Sequence, residues 1–393
     1  MNIPAPTLPF SLFVKRFSIS AFFFILGIVF ATWASRIPSV KAQWHLSDGE
    51  LGTLLLGMPV GSLLVLPLAG WLTARFGSRT ILIIAGIMYS LTLPALALLP
   101  NTWTLGLSLM LFGAGGDLIN IAANDQAVEL EKRCGRSIMS SFHALFSVGG
   151  MVGAAVGGLM YQQNVSLLAH FAGIAAFTML ISVGFYRFLL ATALHESKHT
   201  PLFVRPDRAI LGLGVIGFCV MLGEGSMADW SSVYLTGLLP EGSPWTTAGY
   251  TAFSLAMAAG RFGGDWITNR LGSRRILIVS GLLSGSGLLL ALLVQQPIVV
   301  IVGFACVGLG FATVVPLVYS AAGQSGVMSP GMAIAAVSTV SYLGFLAGPP
   351  LIGWLSEAFS LRWALLWVVA LSFMISILAR RKPVSMVSME NGE

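Results

Sequence analysis

The sequence predicts an all-α integral membrane protein: twelve transmembrane helices in two six-helix bundles related by pseudo-two-fold symmetry. Three observations predict it: an apolar composition, a repeat at half the chain length, and a one-sided distribution of basic residues. Of 393 residues, 56% are hydrophobic and only 9% are charged, against roughly 25% charged in a soluble domain. The mean hydropathy is +0.87. That length accommodates about twelve spans of roughly 20 residues with short connections, and leaves little for an extramembrane domain.

The repeat is anchored by Gly70-Trp71-Leu72-Thr73-Ala74-Arg75-Phe76-Gly77-Ser78-Arg79, whose second copy, Asp265 to Arg274, follows 195 residues later. Other landmarks keep that offset. Gly113 and Gly115 fall opposite Gly308 and Gly310, and Gly149, Gly153 and Gly158 fall opposite Gly344, Gly348 and Gly353. A shared register across separated segments means two copies of one six-helix unit. Trp33-Ala34-Ser35 matches Trp230-Ser231-Ser232 at an offset of 197, a slip that a two-residue loop difference explains.

Taken in order, apolar runs between polar breaks place spans near 15–38, 50–73, 79–99, 103–128, 138–161 and 167–190. The second half gives 209–238, 246–268, 274–294, 297–322, 331–355 and 361–380. Backbone groups have no water to bond in hydrocarbon, so these runs are helices. Breaks such as Leu99-Pro100-Asn101 and Gln295-Gln296-Pro297 are short enough to make neighbours antiparallel. The first bundle is read as 1–192 and the second as 209–393. The hydrophilic connection 193–208, with His195, Glu196, Lys198, His199, Arg205 and Asp207, is a solvated linker.

On this arrangement 17 of the 21 basic residues fall on one side, among them Arg75, Arg79, Lys132, Arg133, Arg187, Arg270 and Arg274. The other side receives Arg36, Lys41 and Arg362, with Arg261 in or near the eighth span. The positive-inside rule then puts both termini in the cytoplasm. The net charge of +6 reports this topology and not nucleic-acid binding, because the cations sit in short loops. Cys134, Cys219 and Cys306 are too scattered for a metal site or a disulfide framework. The run Phe17 to Phe30 after Lys15 and Arg16 resembles a signal peptide, but Trp33, Arg36 and Pro38 follow it, so it reads as a retained first helix.

Ionisable residues inside spans are functional candidates because charge in hydrocarbon is costly. Glu224, Asp117 and Asp229 are the proton-coupling candidates, Glu224 first; a carboxyl withdrawn from water exchanges protons nearer neutrality than an exposed one. None has an ionisable counterpart in the other half, nor has His143. Asp117, Asn120 and Asn124 are spaced i, i+3, i+7 and share one helical stripe. Glu224 lies between Gly223 and Gly225, where the chain can approach a ligand closely. An ion pair with Arg36 or Arg261 is the structural alternative for these acids. Trp33, Arg36, Asn120, Asn124, His143 and Tyr319 are the substrate-binding candidates. Arg36 either attracts an anionic substrate, gates the outer face with Asp229, or snorkels to the interface.

The duplicated Gly-Ser-Arg loop resembles the signature loop between helices 2 and 3 of the major facilitator superfamily, with its partner between helices 8 and 9. That resemblance covers essentially the whole chain. It implies a central site opening alternately to each side of the membrane, and a cytoplasmic gate formed by Gly70, Arg75, Gly77 and Arg79 with Arg270, Gly272 and Arg274. Asp125 or Glu129 would supply the acids that lock it. The loop's usual acidic residue is replaced by Ala74, and by Asn269 in the second copy. The fifth-helix glycine pattern is similar to that of antiporters, with Ala154 at the proline position, and Leu109 stands where drug/proton antiporters carry arginine. Trp33-Ala34-Ser35-Arg36-Ile37-Pro38 and the stretch Gly223 to Leu235 resemble the MosC-like bacterial branch, named for a rhizopine transporter. That implies a bacterial inner membrane and a small polar, sugar-like solute.

The expected function is secondary active transport of a small polar organic solute, coupled to H⁺ or Na⁺, by a monomer that needs no cofactor. No P-loop is present for direct use of ATP. Efflux of amphipathic compounds, through a cavity rich in Phe and Met, is the rival within transport. A membrane-embedded enzyme built on His143 with Asp117 or Glu224 is the rival from another class.

Overall fold

The structure is a computed structural model that describes residues 10–99, 101–134, 138–191, 207–241, 243–326 and 330–380. Within them the chain is helical, and all twelve expected spans are present. The expected linker at 193–208 lies outside the described residues except for Asp207 and Arg208.

The first bundle comprises α1 (Phe10–Gln43), α2 (Asp48–Leu55), α3 (Gly57–Phe76), α4 (Ser78–Leu98), α5 (Thr102–Cys134), α6 (Met139–Gln162) and α7 (Leu167–Phe185). The second comprises α8 (Arg208–Thr236), α9 (Ala248–Leu271), α10 (Ser273–Val294), α11 (Pro297–Phe311), α12 (Val314–Gly323), α13 (Pro330–Ala358) and α14 (Leu361–Arg380). Two spans are split where one continuous helix was expected, α2/α3 at Leu56 and α11/α12 at Ala312 and Thr313. The cause is the same in both. Pro59 and Pro316 have no N–H to give the carbonyls of Leu55 and Ala312, four residues earlier, and the ladder is interrupted there. Among the described residues, eleven spans are long and apolar enough to cross a membrane. The twelfth, α9, carries Arg261, Asp265 and Arg270 in place of a continuous apolar stretch.

The repeat survives in three dimensions. Gly77 has φ 80° and ψ 142°, and Gly272 has φ 79° and ψ 146°. Both join consecutive spans in a conformation that side chains disfavour. Gly113 packs on the backbone of Met58, and Gly308 packs on that of Phe253, which again lies 195 residues away. Large apolar side chains such as Leu180, Ile298, Trp363 and Phe262 point outward, as a lipid-facing belt requires.

The bundles meet chiefly at one end, through α2 with α13, α6 with α9, and α1 with α8. Gly52 and Gly353 bring two backbones together there: a Cβ on Gly52 would lie 2.8 Å from the Cα of Gly353 and 2.6 Å from the carbonyl oxygen of Pro349. Around them the Gly49 N–H donates to Glu357 Oε2 at 3.0 Å and Trp354 Nε1 donates to Thr53 Oγ1 at 3.1 Å. Asp48 takes both Lys41 and the Ser356 hydroxyl. A capping box between Ser47 and Glu50 fixes the start of α2 and so holds this cluster in place. At the opposite end, where the Gly-Ser-Arg loops lie, α3 barely meets α13. The molecule is shut at one end and parted at the other.

Candidate functional site

Between the bundles lies a cavity of about 520 Å³. Its walls hold six phenylalanines (Phe23, Phe30, Phe112, Phe146, Phe253, Phe345), four tyrosines (Tyr89, Tyr250, Tyr319, Tyr342) and Met58, Met221 and Met257. Set among these are Asp117, Asn120, His143, Glu224 and Arg261, with the hydroxyls of Ser62, Ser147 and Ser254. Both halves contribute to its walls.

Two polar clusters organise the cavity. On α5, Asp117 Oδ2 accepts a hydrogen bond from the hydroxyl of Tyr342 on α13 at 3.1 Å, with Ser62 and Asn120 close to this carboxylate. This bond joins the two halves. In the second half Glu224 Oε1 on α8 stands 3.9 Å from Arg261 Nη2 on α9, a distance beyond a direct hydrogen bond. Among the described residues Glu224 Oε1 has no hydrogen-bond partner although it is buried. His143 packs edge-on against Phe23 at 5.2 Å and lies within range of the Arg261 charge. Tyr319 lies within range of Glu224.

Five candidates read from the sequence therefore line one cavity: Asp117, Asn120, His143, Glu224 and Tyr319. Asn124 lies a turn further along α5, and its amide donates to the Asn120 carbonyl at 2.8 Å and side chain at 2.9 Å. Asp229 is buried one layer behind the wall, near Tyr250. Trp33 is fully buried beside Phe112, with ring centroids 6.3 Å apart. Arg36 is not paired with Asp229: its Nη2 donates to the Val165 carbonyl at 2.8 Å and it lies over the Tyr161 ring at 5.8 Å. Its position follows from α1 running on to Gln43, past the residue where the apolar stretch ends.

The gate residues cluster at the parted end. Arg75 lies over Trp71 at 5.3 Å, and its counterpart Arg270 over Trp266 at 4.0 Å. Arg79 Nη2 donates to the Arg187 carbonyl at 3.4 Å, and its counterpart Arg274 donates to those of Ala379 and Arg380. Each arginine thus closes off the end of its own bundle's last helix. Gly70 is exposed at the end of α3, and Asp125 is exposed on α5. Glu129 pairs with Arg133 at 2.9 Å. Among the described residues neither Arg75 nor Arg79 pairs with an acid.

Sequence reasoning treated Arg261 only as a partner for an acid and passed over Tyr342, Tyr89 and Tyr250. Arg261 could have been promoted as a cation away from the ends of the predicted spans of the second half; the tyrosines carry no such signal in an apolar chain.

A profile of the Major Facilitator Superfamily matches residues 10–329 and, in a second match, 246–388. An uncharacterised MFS-type transporter of Yersinia pestis is 39% identical over 359 residues, covering 91% of this chain and 93% of that one. The membrane protein MosC of Rhizobium meliloti is 33% identical over 370 residues, covering 92% and 89%. Among solved structures, an inward-facing bacterial homologue of the human lysosomal transporter Spinster superposes with a TM-score of 0.73 at 14% identity, covering 98% of this chain and 99% of that one. The nucleoside transporter NupG gives 0.72 at 11%, covering 96% and 100%. FucP in its outward conformation gives 0.61 at 16%, covering 94% and 99%.

Proposed function

The chain belongs to the Major Facilitator Superfamily, and on that premise we propose that it is a proton-coupled transporter of a small polar, sugar-like solute. In this reading the solute occupies the central cavity and the two bundles rock about it, exposing it to one face at a time. The observation that carries it is the cavity itself: a room for a small molecule, walled by both bundles, holding one carboxylate bonded across the halves and another loosely paired with Arg261. Aromatic rings offer faces to the C–H side of a polyol, while Asn120, Ser62, Ser147 and Ser254 offer hydrogen bonds to its hydroxyls.

Glu224 is the coupling group in this reading, with Asp117 second. Protonating Glu224 removes the charge that holds Arg261 and frees the guanidinium to turn toward the solute or toward His143. The membrane is the bacterial inner membrane. The termini and the Gly-Ser-Arg loops face the cytoplasm, and the shut end faces outward.

The test is a thermal-shift screen of the purified chain against sugars, inositols, amino sugars, organic acids and amphipathic cations at pH 6 and pH 8, because a ligand stabilises the state it binds. A polyol whose stabilisation depends on pH and disappears in Glu224→Gln supports the reading; a polyol hit indifferent to both changes removes Glu224 from it. Six phenylalanines and three methionines in the wall favour a second reading, efflux of amphipathic compounds. Stabilisation by diverse amphipathic cations alone would select it.

A further inference from the structure

We propose that the shut end contains a second binding site, separate from the central cavity, for a small monovalent anion of halide size held by Arg36 and His170. Both side chains are withdrawn from solvent, each with only 4% exposure. They come from different helices of the first bundle, and one stretch of α6 lies beside both. A Cβ on Gly157 of α6 would touch the Ser35 side chain and stand 3.8 Å from His170 Cε1. Arg36 lies over Tyr161, on the next turn of α6, and its charge reaches His170.

The charge balance there is incomplete. Arg36 spends Nη2 on the Val165 carbonyl, while its Nε and Nη1 are buried without a partner among the described residues. Both ring nitrogens of His170 are in the same condition. The described ion pairs are Lys41 with Asp48, Arg133 with Glu129 and Arg261 with Glu224, so no described carboxylate neutralises Arg36. A guanidinium taken out of water without a counter-charge is strongly unfavourable, and a carbonyl and a ring face compensate only part of a full charge. Arginine keeps its proton under all ordinary conditions, so the cost is not relieved by neutralisation.

A small anion relieves it. It accepts from Arg36 Nε and Nη1 and from the one N–H of a neutral imidazole, converting unpartnered donors into charge-assisted bonds. One unbalanced cation matches a monoanion; a phosphate or sulfate would carry charge that nothing here balances. Neither residue lines the central cavity, which separates this site from the transported solute. The bound ion ties α1 to the start of α7 beside the Val165 carbonyl.

The full chain in lipid nanodiscs is titrated with sodium chloride or sodium bromide against sodium gluconate at constant ionic strength, and the thermal midpoint is followed. The expected result is a saturable rise with chloride and bromide and none with gluconate. The rise is lost in Arg36→Gln, and in His170→Phe its midpoint concentration increases by about tenfold. Equal behaviour of the three salts, or a halide effect unchanged in Arg36→Gln, overturns the site. Should Arg36→Gln fail to fold, chloride-35 line broadening in the unaltered protein decides: broadening displaced by bromide supports the site, and its absence overturns it.

Discussion

Closing the shut end depends on the absence of two side chains, and replacing Gly52 by alanine should reopen it. A Cβ at Gly52 would fall 2.6 Å from the Pro349 carbonyl oxygen and 2.8 Å from the Gly353 Cα, whereas carbon atoms in contact settle about 3.5–4.0 Å apart. Both obstacles are backbone, so α2 and α13 must separate by roughly 1 Å to admit the methyl group. Overpacking of this kind costs about 1–3 kcal/mol. The same movement stretches the bonds from Gly49 to Glu357 and from Trp354 to Thr53, now 3.0 and 3.1 Å long. These contacts cross between bundles and exist only while this end is shut, so the cost falls on one conformation. Every 1.4 kcal/mol is tenfold in population, and the shut state should lose about 5- to 150-fold relative to one open at this end. Spin labels at Gln43 and Phe359, both exposed at the shut end, report the separation by pulsed dipolar spectroscopy. Gly52→Ala should move weight to longer distances and Gly52→Leu should abolish the short one. Distance distributions unchanged in both variants would refute the argument.

Three further outcomes follow from single contacts. Tyr342→Phe removes the donor that reaches Asp117 across the bundles, and a hydrogen bond to a charged group contributes about 1.5–3 kcal/mol. The variant should bind any cavity ligand about tenfold or more weakly by calorimetry if the solute engages this pair. Gly77→Ala and Gly272→Ala place a side chain at φ near 80°, costing about 1–3 kcal/mol each. Both should lower the thermal midpoint to a similar extent, because the two loops have one conformation. Gln126→Leu removes a buried clamp in which the amide donates to Ser78 and Leu190 and accepts from the Leu190 N–H. A loss on the order of 2–3 kcal/mol is expected from the groups it leaves unpaired, measured as urea-dependent unfolding in detergent.

The parts of the fold legible in the sequence are those that hydrocarbon enforces. Backbone bonding makes every apolar run a helix, and the Gly-Ser-Arg loops mark the repeat because their geometry needs glycine at Gly77 and Gly272. The helix breaks were readable in principle from Pro59 and Pro316, but Pro38, Pro94, Pro349 and Pro350 sit inside unbroken helices, so proline alone does not locate a break. Of the site, the charged and amide residues of α5, α6 and α8 were found because charge in a span is rare. Trp33 and Arg36 lie within α1 and not at its end: the end of an apolar run is not the end of its helix, and α1 extends to Gln43, past both. The aromatic wall was invisible. In a chain so apolar, nothing local separates a tyrosine facing a cavity, such as Tyr250, from a phenylalanine in the core, such as Phe304, or one facing lipid, such as Phe262.

The repeat also explains why the chemistry is not duplicated. Glu224 corresponds to Gly27 at the 197-residue offset, and Tyr342 to Ser147, His143 to Ser338 and Asp117 to Ala312 at 195. Each of these four groups has a small residue at the symmetric position. Two six-helix units with identical long side chains on the shared axis would fill the space between them, or set like charges face to face. Keeping the packing glycines in both copies and the functional group in only one leaves room for a ligand and avoids that repulsion. A consequence is that the two acids answer to different parts of the machine. Asp117 belongs to the first bundle but is bonded by the second, so its charge bears on how the bundles approach. Glu224 and Arg261 both belong to the second bundle, so their pairing survives rigid-body rocking and responds instead to what enters the cavity. An ionised carboxylate accepts a hydrogen bond about twice as strong as a neutral acid accepts. On the proposed reading the bond from Tyr342 therefore makes the approach of the bundles sensitive to the proton on Asp117, while Glu224, the coupling group, exchanges its proton in response to what enters the cavity.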